Sequence, residues 1–396
     1  MTNRTGRIGK QAMSRIRMRG VSMVSGLVGV LMVAACQQSH TSISIGTIYN
    51  LEGTQAILDV ESARGARMAF AEINAEGGVS GRKVQQFEAR GVTEAGEVHD
   101  ATATLLARNP EILTVIGLSD TDMAKAAAGA VTAFDRVFIT SGATSPRLPS
   151  EFPGHVFLAC YGDNVQAAAA AEWMYRDLAA RDILVLYDDT FEFTRLLTGY
   201  FRKSWKDISG KDVSAIKVDP QSPDVLRESF QGVDAIYLGL QTADSAIGTI
   251  RALRAAGFEG PIIGADGFDA RSTWGKNVDI SGVYFTTHGY FGVDSPDPQA
   301  RAFGRRFEKM YPGDTPTAFA GLGYDTVRLA VLASRNAITA NDVAQTLSGI
   351  SAFKGVTGTL SYTEGSVPRK TVTILNVKAG SVRYQSEIMP EFVSTP

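Results

Sequence analysis

Cysteine is almost absent from this chain: its 396 residues hold two, Cys36 and Cys160. A framework of several disulfides is thereby excluded, and stability must come from a hydrophobic core, for which the length is ample. Histidine is scarce too, with His40, His99, His155 and His288 spread along the sequence. None stands in an HExxH or in a His–Cys spacing that would hold a metal, so no metal is expected. The chain also lacks an excess of one charge. Its formal net charge of −2 leaves no global field to draw in nucleic acid or an anionic membrane. Beyond the amino terminus, basic residues do not cluster with aromatics, which argues further against nucleic acid. The motifs of common catalysts are missing. There is no GxSxG elbow and no P-loop, and Gly46-Thr47-Ile48-Tyr49-Asn50-Leu51 offers no GxGxxG turn after the first strand. Asp188-Asp189 is an acidic pair, but adjacent acids on a loop are ordinarily solvated. These absences argue against a nicotinamide enzyme, no acid–base pair can be named, and neither enzymatic activity nor a cofactor is expected.

The most specific feature present is the amino terminus. Arg4, Arg7, Lys10, Arg15, Arg17 and Arg19 make a basic segment ahead of the apolar run Val21 to Val33. That run is shorter than the roughly 20 residues a spanning helix needs. It closes in Leu31-Met32-Val33-Ala34-Ala35-Cys36, a string that resembles the lipobox of bacterial lipoproteins. The resemblance implies removal of residues 1–35 as a signal peptide, lipidation of Cys36, and attachment to a membrane through it. A signal with a simple small-residue cleavage site is the alternative. Residues 36–42 read as a short tether. With Cys36 used for lipid, Cys160 has no partner; it follows Val156-Phe157-Leu158-Ala159 and reads as a small buried residue.

The remaining chain is 44% hydrophobic and 20% charged when taken with the leader, ordinary for a soluble protein, and its length points to about two domains. It alternates strand and helix patterns, which predicts α/β lobes with mostly parallel sheets covered by helices on both faces. The stretch from Glu111 to Pro149 organises the whole. Ile112 to Ile116 and Val137 to Ile139 read as strands, with the Ala-rich helix Met123 to Phe134 between them. Two parallel strands joined by a helix bring Leu118 to Asp122 and Thr140 to Ser145 to one edge of the sheet. That is the edge at which open α/β sheets bind ligands, and the hydroxyls and free N–H groups beside a helix start suit a small carboxylate. The alternative is two ordinary turns, since Ser, Thr and Gly are common turn residues.

The chain resembles the leucine/isoleucine/valine-binding family, the type I periplasmic receptors of branched-chain amino-acid ABC transporters. Gly65-Ala66-Arg67-Met68-Ala69-Phe70-Ala71-Glu72-Ile73-Asn74 with Gly77-Gly78, Val115-Ile116-Gly117, Ile139 to Pro146, Ala235 to Gly239, Gly264-Ala265-Asp266-Gly267 and Tyr324-Asp325-Thr326-Val327 carry the match in family order. The resemblance implies two α/β lobes joined by three hinge crossovers near Cys160, Phe285 and Tyr362. Lobe 1 would hold residues 43–160 plus 285–361, and lobe 2 residues 161–284 plus 362–390. It also implies a monomer that encloses an amino acid between the lobes and delivers it to the membrane subunits of an ABC permease. By position, Thr121, Gly142, Ala143 and Thr144 would hold the ligand's carboxylate and head group, and Asp266 its ammonium. The walls depart from the family, with Glu192, Gln241 and Leu58 where aromatic or Tyr-Gly residues are common. These departures leave open an amide, urea or other organic acid as ligand, or a regulatory envelope lipoprotein; Glu192 and Gln241 facing solvent is the alternative to their lining the cleft.

Overall fold

The computed structural model describes residues 42–219 and 227–396. The signal segment, Cys36 and nearly all of the tether lie outside the described residues. The first sheet is wholly parallel, in the order β2-β1-β3-β4-β5. Its strands are β1 (Ser42–Glu52), β2 (Lys83–Val92), β3 (Thr114–Gly117), β4 (Val137–Thr140) and β5 (Val156–Leu158). The second sheet is built on β6 (Ile183–Tyr187), β7 (Ser214–Lys217), β8 (Ala235–Gly239), β9 (Ile262–Gly264) and β10 (Ser281–Thr287), which run parallel. A small hairpin, β11 (Phe353–Gly355) with β12 (Gly358–Leu360), precedes β13 (Val372–Lys378) and β14 (Ser381–Ile388). These last two add antiparallel to β10, giving the order β14-β13-β10-β9-β8-β6-β7.

The helices are α1 (Ala56–Ala75), α2 (Ala95–Arg108), α3 (Thr121–Ala133), α4 (Leu148–Glu151), α5 (Asp163–Arg176), α6 (Glu192–Ser209), α7 (Ala243–Ala255), α8 (Arg271–Lys276), α9 (Pro298–Met310), α10 (Ala318–Ser334) and α11 (Ala340–Ser348). Each sheet is sandwiched. One core joins the first sheet to α1, α9, α10 and α11, and a second joins its other face to α2 and α3. In the second sheet α5 and α6 cover one face, and α7 and α8 the other. Burial on both faces is why β3 and β4 read as unbroken apolar runs rather than alternating ones.

Glycine sets the closest helix packing. A Cβ on Gly65 of α1 would strike the Ala320 carbonyl of α10, and one on Gly323 would strike the Ser62 carbonyl. Two glycines thus let two helix backbones touch, which no pattern of apolar spacing announces. One start differs from the sequence reading: α3 begins at Thr121 rather than Met123. The cause is clear, since Asp120 is the N-cap and its carboxylate accepts from the Met123 N–H at 3.0 Å. Phe285, expected near a crossover, stands inside β10 and pairs with Gly264 and Leu375, so the chain leaves the second sheet after Thr287.

Candidate functional site

The two sheets present the carboxyl ends of their strands to each other. On the first side, β3 leads through Leu118 and Ser119 to the Asp120 cap and α3, and β4 leads to Ser141-Gly142-Ala143-Thr144. On the second, β8 leads to Leu240-Gln241, β9 to Asp266, and β10 to His288. Asp120, Thr121, Thr144, Gln241, Asp266 and His288 are all buried.

Contacts across the seam hold the sides together. The Gln241 Nε2 amide donates to Asp120 Oδ2 at 2.8 Å, and the Glu192 N–H donates to Asp122 Oδ2 at 3.1 Å. Lys125 Nζ stands 3.5 Å from Glu192 Oε2. The Ala318 N–H, at the start of α10, donates to Asp269 Oδ2 at 2.9 Å, so an aspartate from one side caps a helix on the other. A cavity of about 640 Å³ opens on the seam beside this contact, between Ile57, Glu61 and Arg64 of α1 and Ala270-Arg271-Ser272. Another of about 400 Å³ is lined by Arg271, Arg301, Arg305 and Arg383. Neither cavity is lined by Thr121, Thr144 or Asp266.

Thr121 is the first residue of α3, where N–H groups have no intrahelical acceptor. Its hydroxyl is buried with no partner among the described residues. Thr144 lies against Asp163, whose carboxyl is pushed up to about 7 by burial, with hydrogen bonds from Thr144 and Gln166 opposing the rise. The neighbouring N–H groups are committed to the loop itself. Gly142 N–H donates to the Leu118 carbonyl at 3.1 Å and Ala143 N–H to Thr140 Oγ1 at 3.0 Å. Of the backbone groups expected to serve a ligand there, the N–H groups are therefore spoken for. Leu58 is buried in the core beside Leu118, Met123 and Phe319. Gln241 faces Asp120 rather than solvent, and its Oε1 has no partner among the described residues. Cys160 is fully buried, its thiol donating to the Ala143 carbonyl.

Asp266 sits in a short 3-10 turn, Asp266–Phe268. Its side chain does not cap that turn. Instead Oδ2 pairs with His288 Nε2 at 3.0 Å, and Oδ1 is left without a partner among the described residues. His288 stacks on Tyr161, with ring centroids 3.8 Å apart. Burial depresses the imidazole pKa, against the raising effect of Asp266. The sequence reading missed both rings. The available signal was a histidine directly after the apolar strand Val283 to Thr287, a strand end like the one at which the family resemblance places Asp266.

The crossing segments are also pinned to one another. Lys370 Nζ donates to Thr357 Oγ1 at 2.7 Å and lies 3.4 Å from the Ala159 carbonyl, and Tyr362 OH donates to the Leu158 carbonyl at 2.6 Å. No helix among the described residues is long and apolar enough to cross a membrane.

Two α/β lobes meet over buried, partly unsatisfied polar groups, an arrangement that fits a solute-binding protein. Residues 42–381 match the family described as periplasmic binding protein, and the chain belongs to it. Membership implies an exported protein. The Leu/Ile/Val-binding protein BraC3 of Rhizobium johnstonii is 23% identical over 359 residues, 89% of this chain and 96% of the relative. Among solved structures, LivJ from Streptococcus pneumoniae in complex with isoleucine superposes with a TM-score of 0.79 at 23% identity, covering 88% of this chain and 100% of that one. A solute-binding protein from R. palustris in complex with benzoate reaches 0.73 at 17% identity, covering 89% and 98%.

Proposed function

We propose that this protein is a lipid-anchored extracytoplasmic receptor that binds an amino acid, branched-chain or related, between its lobes and hands it to the membrane subunits of an ABC permease. One observation carries the reading: at strand ends of the two lobes stand a buried hydroxyl and a buried carboxylate oxygen without partners among the described residues, Thr121 at a helix N-terminus in the first and Asp266 Oδ1 in the second. A zwitterion supplies the two complementary ends. Kinship with Leu/Ile/Val-binding proteins and the isoleucine held by LivJ support the same class. The lobes are divided by three crossovers, about which the cleft opens and closes, and Cys36 carries the anchor. Closure requires that the solute bind the closed form better than the open one. The alternative is a receptor for an organic acid, in keeping with the benzoate-bound neighbour. A thermal-shift screen against amino acids, amides and aromatic acids separates the two. A ligand at 100 times its dissociation constant stabilises by about 2.7 kcal/mol. Stabilisation by organic acids alone would refute the amino-acid reading.

A further inference from the structure

Arginines gather where the chain passes from one lobe to the other. After β10 it runs through Tyr290, which packs in a core of the second sheet, and Phe291, which packs in a core of the first. Beside this passage lies the cavity of about 400 Å³ lined by Arg271, Arg301, Arg305 and Arg383. Arg271 opens α8 and Arg383 lies in β14, both on the second sheet. Arg301 and Arg305 stand one turn apart on α9, whose Phe303 and Phe307 pack on the first. Thr121, Thr144 and Asp266 are not in its walls, so the cavity is separate from the strand ends described above.

Four guanidinium groups around one cavity repel one another, and like charges one helical turn apart disfavour the helix as well. The usual remedy is a carboxylate beside each. Among the described residues none of the four has one within ion-pair distance, although Arg64, Arg176, Arg251 and Arg306 do. Arg301 donates to the Ser295 and Pro296 carbonyls instead. Arg271 is half-buried over the Tyr290 ring, 5.3 Å from its centroid, and its Nε is buried without an acceptor among the described residues. Three carboxylates share the walls, Asp294, Glu308 and Asp314. Two of them are committed: Asp294 accepts from the Tyr290 hydroxyl at 2.6 Å, and Asp314 pairs with Arg64, which does not line the cavity. Glu308 is exposed. The guanidinium groups thus outnumber the carboxylates free to answer them.

We infer that this cavity is an anion site taking a small oxyanion with at least two negative charges, a phosphate or a polycarboxylate, held by guanidinium groups from both lobes. The planar fork of arginine suits it, since it meets two oxygens of one phosphate or carboxylate. Ser381 and Thr315 add hydroxyls to the walls. The volume falls within the range of small-molecule pockets, about 300–1,000 Å³, and admits a polycarboxylate as readily as phosphate. The bound anion would bridge α9 to β14. The site and the solute cleft are different places, so either reading can fail without the other.

Calorimetry of the purified protein with inorganic phosphate and, separately, with citrate tests it, at an ionic strength fixed with sodium chloride. Saturable binding at one site is expected for at least one of them, and the tighter of the two tells a phosphate site from a polycarboxylate site. Arg305 and Arg383 are exposed, so the double variant Arg305→Gln, Arg383→Gln should fold normally, which its melting temperature checks. It should weaken the anion about tenfold or more, the loss typical of hydrogen bonds to a charged group. Arg271→Lys keeps the charge but loses the fork, and should weaken binding too. Arg251→Gln removes an exposed arginine elsewhere, paired with Asp279, and should change nothing. Failure of both anions to bind saturably at millimolar concentration overturns the inference. Binding that the double variant leaves unchanged, or that Arg251→Gln weakens as much, overturns it as well.

Discussion

Gln241→Ala offers the sharpest test of closure. The Gln241 amide reaches 2.8 Å across the seam to Asp120 Oδ2, while Asp120 Oδ1 caps α3, and on the proposed hinge motion opening would break the first contact. Asp120 is 1% exposed, so bulk solvent does not already satisfy its carboxylate. A hydrogen bond to a charged group is worth about 1.5–3 kcal/mol. The loss falls on the closed form alone, because the partners sit on different lobes. If the open form predominates without ligand, apparent affinity falls by the same factor, about 10- to 150-fold. Calorimetry with the amino acid found in the screen measures it. To separate this contact from any direct role of Gln241 Oε1 toward a solute, the same substitution is made in an Asp120→Ala background. Coupling between the two sites isolates the contact. Unchanged affinity, or a full loss that persists without Asp120, would refute the reasoning. Acidity supplies an independent check. Burial pushes the Asp120 carboxyl from 3.8 up to about 6, with like charge from Asp122 adding to the rise and the Met123 N–H and Gln241 opposing it. The closed form then holds a proton that an exposed Asp120 releases near 3.8. Its contribution to closure is present at low pH and lost as pH rises through about 6. Small-angle scattering of the unliganded protein should show greater compaction at the acid end of that window, and the Gln241→Ala defect should shrink there.

Four further outcomes follow from the same contacts. Asp266→Asn keeps an acceptor for His288 but removes the charge; it should fold normally and lose amino-acid binding by about a hundredfold, since an unpaired buried charge costs about 3–5 kcal/mol, and calorimetry checks this. Thr144→Val should weaken binding about tenfold if its hydroxyl meets a charged ligand group; an unaffected affinity removes Thr144 from the site. Gly65→Val drives a side chain into the Ala320 carbonyl and should lower the melting temperature sharply, by the several degrees that about 1–3 kcal/mol of overpacking implies. Cys36→Ser should release the protein from the membrane fraction, since stable anchoring depends on its acyl chains; continued tight association would refute lipidation.

Local chemistry made the element order and one half of the site legible. Alternating strands and helices required parallel sheets, and the polar runs after Gly117 and Ile139 had to fall at strand ends. The loops that hold Thr121 and Thr144 could thus be placed at one sheet edge from the sequence, while the roles expected of these residues and of Asp266 came from the family resemblance. Even so, the Asp120 cap was read as loop, because a capping aspartate and a turn aspartate look alike until the helix behind it is seen. Tertiary structure decided the rest. Gln241 meets Asp120, 121 residues away, only because the lobes face each other. The Asp269 cap on α10 depends on the same placement. His288 finds Asp266 because β10 lies beside β9, and Tyr161 because the crossovers converge. The glycines of α1 and α10 show their use only where the helix backbones touch. Periodicity records which face of an element is buried, and pairings across the lobes leave no periodic trace. They were settled by which strand ends the fold brought together.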